Sequence, residues 1–304
     1  MSADGASPAA RRIADLCLAL DAVVGAGERV ALDFGTELVV RHKSPEQPVT
    51  DADLAVDRAL RERLIGERPG YGWLSEETRD DAARLEREHV WIVDPIDGTS
   101  SFVAGIPDSV VSVGLVEGRT GIAVVGVIFN PLTGELYWAV RGGGAYGVLI
   151  EPARHVDVDP PLDRLVRVDS VADIGPEGWG RFMIVHDVRT EPRSPLRAFV
   201  SRADEPDTDG VPPGWVAVAR GSTAYKMVGV ASDVGDGYFA SGPKSEWDVC
   251  AAALIVEEAG GRATDLNGED LRFNRASTDM AGIVCASDPK VHAQLVGWLR
   301  GGWR

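Results

Sequence analysis

Four apolar residues, Val90-Trp-Ile-Val93, run straight into Asp94-Pro95, and that junction constrains the fold more than any other stretch of the chain. A short apolar run stopped in this way suits the end of a buried strand: the residue before proline is held extended, and proline blocks continuation as a helix. The strand delivers Asp94 to its end, and the turn Pro95-Ile-Asp-Gly98 presents Asp97 beside it. The Ile96 carbonyl between them is available as a third oxygen donor. Hard oxygen donors of this kind suit magnesium, which keeps several waters besides. Gly98 permits close backbone approach, and amides at a following helix start, Gly98 to Ser100, can hold a phosphate. Taken alone, Asp94 and Asp97 fit a turn and an N-cap equally well.

Further carboxylates sit at comparable places. Glu76-Glu77 follows a short strand, Trp73-Leu74, and is either a solvated turn or a further ligand with a carboxylate to orient water. Asp248 closes Ser245-Glu-Trp-Asp248, a Ser-x-x-Asp capping box at the start of an apolar helix that ends at Gly260-Gly261. Helical spacing marks Arg11 to about Gly35 and a second helix from Thr50, with Asp51 and Asp53 in its first turn. Lys43 to Pro48 reads as a loop. Strand signals follow at Val110–Val116, Gly121–Phe129 and Glu135–Val140, then a glycine-rich turn over Arg141–Gly147. The Pro- and Asp-rich segment Glu151 to Asp163 is the expected boundary between an N-terminal subdomain, residues 1–155, and a C-terminal one, residues 156–304. Beyond it come a strand at Phe182–Val185, a loop over about Glu191–Pro213, helices from Thr223, Trp247 and Pro289, and strands at Asp236–Ala240 and Gly282–Ala286. The pattern is mixed α/β, with layers of sheet and helix.

Four blocks in order resemble the inositol monophosphatase family: Val49-Thr-Asp-Ala-Asp53, Ser75-Glu-Glu77, Asp94-Pro-Ile-Asp-Gly-Thr99, and Glu246-Trp-Asp248 with its helix ending Glu-Ala-Gly-Gly261. The resemblance implies alternating layers of helix and sheet, a homodimer, and two or three magnesium ions. Glu76, Asp94 and the Ile96 carbonyl would hold the first ion; Asp94, Asp97 and Asp248 the second. Glu77 would serve a weaker third ion or position the attacking water, and Thr99 paired with Asp53 would help activate that water. Lys43 falls where the family has a mobile-loop lysine, and a solvated lysine is an equal reading. Gly221-Ser222 followed by Lys226 is similar to the nucleotide-site element of the 3′(2′),5′-bisphosphate nucleotidases, which makes such a nucleotide the expected substrate. Ser100-Ser-Phe102 and Ala240 depart from that branch's pattern, and Ser241 stands where the inositol branch carries a substrate-contacting Glu. Inositol 1-phosphate and a pathway-specific sugar or nucleoside phosphate therefore stay open, as does a non-catalytic phosphate-metabolite binder.

A formal charge of −16 over 304 residues argues against nucleic-acid polymers and anionic membranes, which need a basic footprint. A small phosphate ester is compatible, provided that metal ions reverse the local sign. No apolar run reaches the ~18 residues of a membrane span, and the small, polar Met1–Ala10 is unlike a secretory signal, so the expected location is cytoplasmic. The three cysteines, Cys17, Cys250 and Cys285, are widely spaced in apolar surroundings and read as buried thiols. Gly142-x-Gly-x-x-Gly147 matches a dinucleotide fingerprint formally, but strand residues rather than a helix follow it. His186 follows a strand end, where substrate contact and a turn role are both open.

Overall fold

The computed structural model describes residues 7–36, 39–44, 47–151, 165–168, 175–176, 182, 194–202 and 210–301. Helix α1 (Pro8–Asp33) starts about a turn before Arg11, because Ser7 accepts the Ala10 amide and Pro8 is preset for a first turn. Strands β1 (Val40–Ser44) and β2 (Gln47–Thr50) pair as a ribbon in place of the loop expected over Lys43–Pro48. Pro48 is tolerated there because the ribbon has only two strands, so its missing N–H interrupts no second ladder. Helix α2 (Asp51–Glu67) opens under a reciprocal capping box between Thr50 and Asp53.

Next come β3 (Gly72–Ser75), β4 (His89–Asp97), the single-turn helix α3 (Thr99–Val103), β5 (Val110–Glu117), β6 (Ile122–Asn130), β7 (Glu135–Val140), β8 (Gly144–Ile150) and β9 (Val166–Val168). Their strands form one sheet in chain order, antiparallel except for the parallel edges β3–β4 and β8–β9. The remaining elements are β10 (Leu196–Ser201), β11 (Trp215–Arg220), α4 (Thr223–Ala231), β12 (Gly237–Ala240), β13 (Lys244–Ser245), α5 (Glu246–Glu258), β14 (Arg262–Thr264), β15 (Asp279–Met280), β16 (Ile283–Ala286) and α6 (Pro289–Arg300). A second sheet runs β11-β10-β12-β16-β14. Strand β10 lies inside the loop expected over residues 191–213: its short apolar run is flanked by prolines and aspartates, yet it pairs on both sides. The expected strand at Phe182–Val185 and the boundary at 155–156 lie outside the described residues, apart from Phe182 itself.

The elements stack as alternating layers: α1 with α2, the seven-stranded sheet, α4 with α5, the five-stranded sheet, and α6. Alternation along β5 shows why. Val111, Val113 and Leu115 face the α1–α2 side, whereas Ser112 and Gly114 turn towards α5. Gly114 and Gly126 are paired across β5 and β6. A Cβ on Gly114 would lie 2.7 Å from the Cys250 sulfur, and one on Gly126 2.5 Å from the Ala251 carbonyl oxygen. Helix α5, rich in alanine at this contact, therefore sits directly on the sheet, which fixes where its first turn and Asp248 fall. Gly126→Ala is expected to destabilise the protein by about 1–3 kcal/mol through overpacking against backbone. Gly25→Ala, on α1 with nothing within 4 Å of the added carbon, should stabilise it by up to about 1 kcal/mol. Urea unfolding of the two variants checks both signs.

Cys250 and Cys285 are buried, but Cys17 is exposed. The helical period turns Leu16, Leu20 and Val23 inward and leaves Cys17 on the solvent side of α1. Among the described residues no helix is long and apolar enough to cross a membrane.

Candidate active site

Strand β4 does not stop at Asp94-Pro95 as expected: it bulges there and runs on to Asp97, because the extra residue lets pairing with β5 resume. Asp94 pairs with Ser112 of β5 and Asp97 with Val110, so three steps on one strand match two on the other. The extra residue re-aims the side chains at the strand end. Asp94, 1% exposed, accepts the Ile96 amide at 3.1 Å on Oδ1, closing the turn. Parallel pairing of β3 with β4 sets Ser75 beside Val93, and the Glu76 amide donates to the Val93 carbonyl, so Glu76 arrives next to Asp94. From α2, buried Asp57 accepts the hydroxyls of Ser75 and Thr78 and so staples the segment that carries Glu76 and Glu77.

Asp248 comes from the first turn of α5. Its Oδ2 accepts the Ser245 amide at 2.9 Å, so the cap exists, and the same carboxylate also joins the cluster. One carboxylate oxygen from each of Glu76, Asp94 and Asp248 lies within 4.8 Å of the others. Asp97 stands beside them with Oδ2 engaged by the Ser222 hydroxyl and the Ala224 amide, both at 2.6 Å. Asp53 divides its two oxygens. Oδ2 takes the Thr50 amide and hydroxyl, and Oδ1 takes the Thr99 hydroxyl at 3.1 Å, which also lies 3.0 Å from the Ile96 carbonyl.

This crowding has an electrostatic consequence. Desolvation, then the neighbouring charges of Glu76, Asp97 and Asp248, push the Asp94 carboxyl well above the usual carboxylate range. Asp248 is pushed up to about 7, first by desolvation and then by Asp97, with its bond from the Ser245 amide opposing. Desolvation also raises Asp53, against the lowering effect of its bonds from Thr50 and Thr99. Like charges this close in low dielectric must hold either protons or cations. The donors are all hard oxygens, so the residues fit magnesium: Glu76, Asp94 and Asp248 meet directly, with Asp97 and the Ile96 carbonyl adjoining.

Glycines bring the second half of the chain against this strand end. Gly98 has φ 96°, and a Cβ there would lie 2.7 Å from the Asp108 carbonyl oxygen and 3.2 Å from Ser222 Cβ. Gly221 donates its amide to Asp108 Oδ2 at 2.8 Å, and the same oxygen accepts two bonds from the Arg202 guanidinium. Gly98, Thr99, Ser100, Gly221 and Ser222 thus belong to one neighbourhood. Lys226 lies below it: the side chain is 4% exposed, with Nζ 3.4 Å from the Arg220 carbonyl and 4.9 Å from the Tyr238 ring centre. Lys43 falls in β1, with its side chain outside the described part, and His186 lies outside the described residues. Sequence reasoning did not single out Asp57, Asp108 or Arg202. Asp108 and Arg202 carry no local signature, since they meet each other and Gly221 across 94 to 113 residues, whereas Asp57 lies among the polar positions of α2.

Alternating helical and sheet layers thus carry a buried carboxylate cluster whose oxygens suit a divalent cation. The family model described as the inositol monophosphatase family matches residues 15–300, and the chain belongs to that family. Its relatives include a protein named inositol-1-monophosphatase from Caulobacter vibrioides, 31% identical over 92% of this chain and 99% of the relative. Another is a protein named histidinol-phosphatase from Mycobacterium tuberculosis, 32% identical over 95% of this chain and 98% of its own length. Among solved structures, CysQ from Bacteroides thetaiotaomicron superposes with a TM-score of 0.69 at 26% identity, covering 90% of this chain and 97% of that one. The protein is accordingly a phosphoric monoester hydrolase acting on small phosphorylated substrates.

Proposed function

We propose that this chain uses magnesium to hydrolyse a 3′(2′),5′-bisphosphate nucleotide. The observation that carries the metal part is the convergence of Glu76, Asp94 and Asp248 oxygens within 4.8 Å in a buried setting. Bound magnesium supplies Lewis acidity to phosphoryl oxygens and lowers the pKa of water. Glu76, Asp94 and the Ile96 carbonyl would hold one ion, and Asp94, Asp97 and Asp248 a second. Glu77, whose amide donates to the hydroxyl of the stapled Ser75, would orient a water or serve a weaker third ion.

The protein's own part in water activation is a short relay. Asp53 Oδ2 is fully engaged by Thr50, so only Oδ1 faces Thr99. With its proton on that oxygen, the Thr99 hydroxyl would have lone pairs free to accept a proton from an attacking water. Amides of Thr99 and Ser100 open α3 without intrahelical acceptors and are available to phosphate oxygens. Gly98 keeps this backbone free of a side chain.

Support for a nucleotide comes from the Gly221-Ser222 turn beside Gly98 and from likeness to CysQ. Lys226 enters through that turn, reaching the Arg220 carbonyl just before it. A second reading, inositol 1-phosphate, is favoured by the names of several relatives. The test is phosphate release on a panel of 3′-phosphoadenosine 5′-phosphate, inositol 1-phosphate, histidinol phosphate and fructose 1,6-bisphosphate. The highest kcat/KM is expected for the adenosine bisphosphate. A tenfold preference for another member would replace the nucleotide with that substrate. We further propose that the molecule acts as a homodimer in the cytoplasm, which gel filtration and cell fractionation would check.

A further inference from the structure

Asp97 is held by donors that arrive from far away in sequence. Ser222 and Ala224, which give it two bonds of 2.6 Å, lie 125 and 127 residues downstream, in the start of α4. The direction of the Asp97 carboxylate is therefore set by where α4 begins and how it is rotated. That start is not an easy one. Strand β11 runs directly into Gly221-Ser222, and Ser222 adopts φ 56° and ψ 133°, a region unfavourable for a residue with a Cβ. Such a conformation persists only when its surroundings over-determine it.

One hold comes from the residue after Ala224. The Tyr225 amide donates to the Ser222 hydroxyl oxygen at 2.9 Å, and the Tyr225 phenol donates to Oε2 of Glu135. The Arg220 guanidinium lies 4.1 Å from the Tyr225 ring centre, so the ring is fixed by its hydroxyl and by a cation against its face. Glu135 opens β7 and is 1% exposed. It also accepts the hydroxyls of Thr133 and Tyr137, each at 2.7 Å. Among the described residues no guanidinium or ammonium bonds to it. A buried carboxylate satisfied by three hydroxyls is a costly packing unit, since an apolar residue of similar volume would fill the space without a charge to desolvate. What the carboxylate supplies is three short, directional bonds, of which the one from Tyr225 ties the central sheet to α4.

We propose that Glu135 and Tyr225 are positioning residues that lock the rotation of α4, so that Ser222 and Ala224 occupy Asp97 Oδ2 and leave Oδ1 for a metal ion. The inference rests on the reading of Asp97 as a ligand. Neither residue is among the proposed metal ligands, so their effect would pass through the helix start. It separates the ligands into two groups: Glu76 is placed by strand pairing within the seven-stranded sheet, whereas Asp97 depends on α4.

The test is magnesium binding by calorimetric titration, with Mn²⁺ spin resonance as a second readout, on Tyr225→Phe, Glu135→Gln, Asp97→Asn and Tyr146→Phe. Tyr146 donates its hydroxyl to the Gly143 carbonyl in the β7–β8 turn, away from α4, and controls for the loss of a buried phenol. Tyr225→Phe is expected to weaken one of the two metal sites about tenfold, within the ~10–100-fold range of outer-shell changes, and to leave the other unchanged. Turnover should fall with KM nearly constant and recover at high magnesium. Glu135→Gln should act in the same direction, and the double variant should lose little more than the worse single, because both act through one lock. Tyr146→Phe should lower the melting temperature only. If one of the two lock variants fails to fold, the other decides. Unchanged affinity at both metal sites in the folded variants, with Asp97→Asn impaired, would overturn the positioning role and leave the ligand assignment standing. Unchanged metal binding in Asp97→Asn would overturn both.

Discussion

Asp94→Asn is expected to abolish phosphate release while giving a metal-free protein that melts higher than wild type. The two halves have one cause. Asp94 sits 1% exposed among Glu76, Asp97 and Asp248, where desolvation and like charge push its carboxyl well above its usual range. Asparagine keeps the shape and one oxygen, which can still accept the Ile96 amide, but needs neither the proton nor the cation that the buried carboxyl must take up. The metal-free fold therefore gains. With metal the balance would reverse, because Asp94 would be a ligand of both proposed ions. Losing several kcal/mol of charge stabilisation in the transition state corresponds to a fall of about a thousand-fold or more in kcat. Thermal melting with and without chelator, alongside turnover, checks both halves. A variant that is inactive and also less stable without metal would mean that Asp94 is mainly a structural turn residue.

The second large effect is a change in the pH dependence of stability on loading metal. Asp94 is raised and Asp248 stands at about 7, against 3.8 for an ordinary aspartate. Between those values the folded state binds protons that the unfolded state does not, so metal-free stability falls as pH rises. Half-buried His89 and buried His292 have pKa values lowered by desolvation and work in the opposite sense below about 6.5. The clean window is therefore about pH 6.5 to 8. Across it the metal-free protein should lose melting temperature, and the increment given by saturating magnesium should grow, because cations replace protons on the cluster. Differential scanning calorimetry at several pH values measures this. An increment independent of pH, or one that shrinks towards pH 8, would show that the carboxylates are not what the metal binds.

What could be read in the sequence was whatever the chain states locally. Val90–Val93 running into Asp94-Pro95 marked a break in the strand because both signals are backbone chemistry of adjacent residues, although pairing resumes beyond the bulge as far as Asp97. The cap at Ser245 was legible for the same reason. Capping and ligation were the rival readings of Asp248, yet a carboxylate has two oxygens. Asp248 gives Oδ2 to the Ser245 amide while contributing an oxygen to the cluster, and Asp53 caps α2 while holding Thr99. The unread parts depend on partners distant in sequence. Lys226 follows Ser222 by one helical turn and looks like a substrate contact; only the approach of the Arg220 carbonyl and of the Tyr238 ring of β12 to its ammonium shows the residue buried. Strand β10 is hidden in a polar segment and becomes a strand because β11 and β12 flank it. Asp108 and Glu135 look like ordinary turn and strand residues until the second half of the chain docks on them.

The central claim is that this carboxylate cluster makes the chain a phosphatase by holding metal. Its most direct test is phosphate release by wild-type protein stripped of metal, as magnesium is titrated back in the presence of the best substrate of the panel. The account predicts no release at the outset and a saturable return of full activity with magnesium. Release that persists unchanged in the stripped protein with chelator present would contradict it.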